Sequence, residues 1–99
     1  MVKTAIFVRL QAKPGKAAEL EAFLRSGLPL ALEEPATIAW FAVRFDANTF
    51  AIFDAFPDEA GRNAHLTGRI AAALMAKAAD LLEPMPNIEK AEVLAAKLP

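Results

Sequence analysis

The apolar positions along the chain change period several times, and each change marks an element. From Lys3 to Gln11 they alternate: Thr4, Ile6, Val8 and Leu10 share one face, and Ala5, Phe7 and Arg9 share the other, as in a β-strand. Lys13-Pro14-Gly15 ends that strand. From Lys16 to about Leu32 the apolar residues Leu20, Phe23, Leu24, Gly27, Leu28 and Ala31 recur at helical spacing. Pro29 has no N–H to give to a helix interior, so a kink or break is expected there. Two more strands, Thr37 to Phe45 and Thr49 to Phe56, flank Asp46-Ala47-Asn48, whose side chains suit a hairpin turn. Asp58 is placed to cap a second helical region. Thr67-Gly68 interrupts that region, and Thr67 is expected to cap a further helix through Leu82, with Ile70, Leu74, Ala78 and Leu81 buried. Pro84-Met85-Pro86 ends the helix, and Ile88 to Ala96 reads as a last strand.

The order β-α-β-β-α-β, with short connections and right-handed crossovers, predicts an α+β, ferredoxin-like fold: a four-stranded antiparallel sheet with helices on one face. A sheet covered on one side alternates apolar and polar residues. The second and third strands do not: Ile38, Trp40, Ala42 and Arg44 lie on one face, but Ala39, Phe41, Val43 and Phe45 on the other are apolar too. Phe50, Ile52, Asp54 and Phe56 alternate with Ala51, Phe53 and Ala55 in the same way. Something must cover the face opposite the helices, and a second copy of the same sheet is the simplest cover, giving a homodimer.

Composition narrows the classes. The 99 residues form one domain, 1–99, and 56% of them are hydrophobic against 23% charged, which excludes intrinsic disorder. The longest apolar run, Ile70 to Ala76, stops at Lys77, so no membrane span is expected. The start has no secretory signal and the chain has no cysteine, so the expected location is cytoplasmic. Against 12 acidic residues there are 11 basic ones, scattered singly, so there is no basic patch for nucleic acid.

Candidate chemistry is sparse. Ser26 and His65, the only serine and histidine, fall on different predicted helices, and a lone histidine does not supply a zinc site. No glycine-rich phosphate loop follows a strand. His65, beside the helix break, reads either as a base with a pKa near neutrality or as a histidine bonded to a helix-end carbonyl. Asp54 is an acid within an apolar strand and must be paired or protonated; Arg44 on the neighbouring strand is the candidate partner. Trp40 and the phenylalanines, Phe56 among them, read as core or as walls for a flat aromatic ligand.

Several segments together resemble the antibiotic biosynthesis monooxygenase family. They are Ala12-Lys13-Pro14-Gly15-Lys16, then Glu34-Pro35-Ala36-Thr37 with Ala36 where the family has glycine, then Arg44, Phe50-Ala51-Ile52-Phe53-Asp54, Phe56-Pro57-Asp58-Glu59-Ala60 and Ala64-His65-Leu66. The resemblance implies a dimeric α/β barrel, with sheet packed on sheet and a cavity between each sheet and its helices. It also implies oxidation of a small hydroxylated aromatic or quinol by O₂ without metal, flavin or other cofactor. In that frame His65 is the catalytic base, and Trp40, Asp54, Arg44 and Phe56 bind substrate. A non-catalytic, dimeric ligand-binding or stress-response protein is the alternative. The chain lacks the tyrosines that assist some members. It also lacks the late helical histidine that haem-degrading members use, which argues against haem.

Overall fold

The computed structural model describes residues 1–99, in the order β1 (Thr4–Gln11), α1 (Ala17–Ser26), α2 (Leu28–Leu32), β2 (Ala39–Arg44), β3 (Thr49–Phe56), α3 (Glu59–Leu66), α4 (Arg69–Leu81) and β4 (Ile88–Glu92). The sheet order is β2-β3-β1-β4, and every neighbouring pair is antiparallel. This is the expected ferredoxin-like arrangement, with each helical region split in two. No helix is long and apolar enough to cross a membrane.

The strand alternation sorts the faces as the sequence predicts. Ile6, Val8 and Leu10 of β1 join Phe50, Ile52 and Phe56 of β3 beneath Leu20 and Leu24 of α1 and Leu74, Ala78 and Leu81 of α4. Burying such side chains, at about 1.5–3 kcal/mol each, is what holds the helices on this face. On the opposite face Phe41, Val43, Phe45 and Phe53 remain exposed, Phe45 by 55%. Arg9 lies over the Phe45 ring at 4.7 Å.

The second strand is shorter than expected, Ala39–Arg44 within Thr37 to Phe45, and three further boundaries differ from the sequence expectation. The first helical region breaks at Gly27 and not at Pro29, because Pro29 sits in the first turn of α2, where no helical N–H bond is lost. A Cβ on Gly27 would lie 3.2 Å from Trp40 Cζ2 and 3.3 Å from Ile70 Cδ1, so a bare backbone is what lets α1 and α2 close over the sheet here. Thr67 does not cap α4. It closes α3, and its hydroxyl turns back to the Asn63 carbonyl at 3.0 Å, while Gly68 stands at the N-cap of α4. The last strand ends at Glu92, short of Ala96, because β1 offers it partners only from Val8 back to Thr4. Asp58 caps α3 as expected, accepting from Gly61 N–H at 2.9 Å, and Asp46 accepts from Asn48 N–H at 2.9 Å in the hairpin turn.

Candidate functional site

Asp54 reaches the helix side because it alternates with Ile52 and Phe56 along β3. It stands between Ile6 of β1 and Trp40 of β2 in the strand register, and only 1% of its surface is exposed. A carboxylate so placed needs a partner. The partner is His65 in the last turn of α3, whose Nε2 lies 3.0 Å from Asp54 Oδ2. Arg44, the partner expected from sequence, is instead half-exposed and pairs with Glu21 of α1. The long strand-to-strand step between Arg44, opposite Phe50, and Asp54, opposite Trp40, keeps the two apart.

His65 carries a second carboxylate. Its Nδ1 lies 2.7 Å from Oε1 of Glu34, in the loop after α2. Thr37 Oγ1 donates to the same oxygen at 2.7 Å and fixes its position. Gly68 allows this approach: a Cβ there would lie 3.0 Å from Glu34 Oε2. The result is a chain Glu34–His65–Asp54 in which both ring nitrogens are engaged, with His65 itself 8% exposed. The Phe56 ring packs on the imidazole, centroid to centroid 5.2 Å, and supports it from behind.

Burial alone would push the imidazolium toward deprotonation. The hydrogen bonds and charges of Asp54 and Glu34 outweigh it, so His65 titrates above the ordinary imidazole value. When protonated, it donates one N–H to each carboxylate. The two carboxylates lie at opposite edges of one ring and do not converge on a point, and no set of three His, Asp or Glu side chains is arranged to hold a metal ion.

The chain faces a cavity of about 60 Å³ between sheet and helices, lined among others by Ile6, Val8, Leu24, Trp40, Asp54 and His65. At roughly 10–15 Å³ per water this holds a few water molecules as it stands. Two buried polar atoms of its lining residues, Trp40 Nε1 and Asp54 Oδ1, have no hydrogen-bond partner. Ser26 also lines the cavity, but its hydroxyl donates to the Phe23 carbonyl, and His65 has no free nitrogen for it. Beyond Trp40 and Leu24, which border both, an open cleft of about 500 Å³ runs past Arg44 and Glu21.

Of the residues singled out from sequence, Trp40, Asp54 and His65 therefore meet at one cavity, Phe56 backs it, and Arg44 belongs to the outer cleft. Glu34 was not singled out as a site residue. It lies 31 residues from His65 in a loop without periodicity, and only the Glu-Pro-Ala-Thr segment around it hinted at a fixed role.

No family model matches the chain, and no curated protein matches it. Among solved structures it is similar to the Nitrosomonas europaea protein NE2512, of unknown function, with 66% identity over 100% of this chain and 96% of the other, at a TM-score of 0.97. A candidate antibiotic biosynthesis monooxygenase from the same organism superposes with a TM-score of 0.83 at 15% identity, covering 93% of this chain and 99% of that one. Another from Caulobacter crescentus gives 0.79 at 17% identity, covering 95% and 92%. At these lower identities the likeness is one of fold. The chain belongs to the family of NE2512, built on the fold of antibiotic biosynthesis monooxygenase-like proteins.

Proposed function

We propose that the protein is a cofactor-independent monooxygenase for a small hydroxylated aromatic or quinol. One observation carries this reading: a Glu34–His65–Asp54 chain ends at a buried carboxylate with one unpartnered oxygen, on a residue that lines a largely apolar cavity. A base so placed suits removal of a proton from a ring hydroxyl, leaving an electron-rich ring that O₂ can oxidise. The balance needs no further reductant. The hydroxyl hydrogen and one ring hydrogen leave with one oxygen atom as water, and the other oxygen enters the ring as a quinone carbonyl. All four electrons come from the substrate.

The proton-accepting atom in this reading is Asp54 Oδ1. His65, with both nitrogens occupied, holds Asp54 in place and balances its charge, and Glu34 orients His65. Asp54 and His65 are both buried, which strengthens each of these interactions. A ring enters past Trp40 and Leu24, the walls shared with the outer cleft, where Arg44 can meet a polar substituent. Two copies pack through the exposed Phe41, Val43, Phe45 and Phe53 face, which leaves each cavity on the outer, helical side of its own sheet.

Oxygen-electrode assays with a panel of phenols, quinols and anthrones test the reading, with wild type compared with His65→Ala. Uptake that falls sharply in the variant is expected. Uptake unchanged by it removes His65 from the mechanism. The small, largely apolar cavity also suits a ligand-binding protein without turnover, and that reading gains if a panel compound binds but consumes no oxygen.

A further inference from the structure

We infer that Trp40 Nε1 and Asp54 Oδ1 together form a hydroxyl subsite, one that selects phenols and enols over ethers, carboxylates and ammonium compounds. The inference deepens the function proposed above and rests on it for the aromatic nature of the ligand. The two residues face each other across β2 and β3 on the helix side of the sheet, and both line the same cavity. Directly opposed side chains of this kind start about 4.5–5.5 Å apart at Cβ. Each carries a buried polar atom with no hydrogen-bond partner, whereas the other oxygen of Asp54 is already committed to His65.

The two atoms are chemically complementary. The indole N–H can only donate, and a carboxylate oxygen can only accept. A single ligand oxygen that accepts from Trp40 and donates to Asp54 satisfies both, and this describes a hydroxyl. An ether gives Asp54 no donor. A carboxylate brings a second negative charge beside it. An ammonium leaves the indole N–H unmet. Leaving a buried polar group unpaired is what makes such sites discriminate strongly against the analogue that lacks one hydrogen. The apolar wall of Ile6, Val8, Leu24 and Ile70 would hold the ring.

Trp40 is the only tryptophan, so its emission reports the site directly. Wild-type protein is titrated with phenol, anisole and benzoate, following that emission. Phenol is expected to bind at least tenfold more tightly than anisole, with benzoate weaker still. Asp54→Asn, checked for its fold by circular dichroism, can place an amide N–H where the acceptor stood, and phenol's advantage should fall to about twofold or less. Anisole binding as tightly as phenol to wild type overturns the inference, as does no binding of either at millimolar concentration. The wild-type series decides even if the variant does not fold. A clear phenol preference without oxygen uptake upholds the subsite and defeats the oxygenase reading. Uptake with equal phenol and anisole affinity does the reverse.

Discussion

His65 is the residue on which charge, burial and position converge. Its pKa is raised in the folded state by Asp54 and Glu34, against the opposing effect of burial. A raised folded pKa stabilises the protein fully below the ordinary imidazole value, about 6.5, and that stabilisation is lost as pH rises through the folded value. Urea unfolding should therefore show stability falling as pH climbs from about 6.5 through that higher value. His65→Gln, which cannot titrate, should remove this part of the slope. His65→Ala leaves Asp54 buried without its counter-charge and should cost about 3–5 kcal/mol. A pH slope identical in wild type and His65→Gln would contradict the paired geometry.

The elements that position these residues are held by short local devices. Helix α3 carries both Arg62 and His65, and it starts at the Asp58 cap. Arg62 ties the helix to the sheet, its Nη1 donating to the Ala5 carbonyl at 3.1 Å and the Ala91 carbonyl at 3.0 Å. Asp58→Ala should cost about 1 kcal/mol, or a fall of about 4–8 °C in melting temperature, by freeing the first N–H groups of α3. At the other wall, Gly27→Val should press on Trp40 and Ile70, shift the tryptophan emission and cost about 1–3 kcal/mol through overpacking.

At this scale the sequence was informative wherever a period existed. Strand alternation grouped Asp54 with Ile52 and Phe56, and Trp40 with Ala42 and Arg44, and helical spacing picked out Ile70, Leu74, Ala78 and Leu81 as the buried face of α4. It was silent where placement depends on tertiary contact. Glu34 reaches His65 from a loop, and Arg44 prefers an acid on α1 to the one on its own sheet. Pro29 misled because proline breaks a helix interior but is accommodated in a first turn.

For the whole molecule, the apolar residues on both faces of β2 and β3 have a place. One face of the sheet is filled by helices around the cavity, and the other presents Phe41, Val43, Phe45 and Phe53 to solvent. Light scattering at low micromolar concentration should give twice the chain mass for wild type. Phe53→Glu should give the mass of one chain, since it puts a charge from each copy on the face proposed to pair. A wild-type monomer would contradict the proposed pairing.

Asp54, held by His65 and Glu34, is proposed above as the base of an oxygen-consuming site. The most direct test is oxygen uptake with single-ring phenols and quinols, comparing wild type with a folded Asp54→Asn. Wild type should take up oxygen, and the variant should lose about 10²–10⁴-fold in kcat. No uptake with any of these compounds, or uptake undiminished in Asp54→Asn, would contradict that assignment.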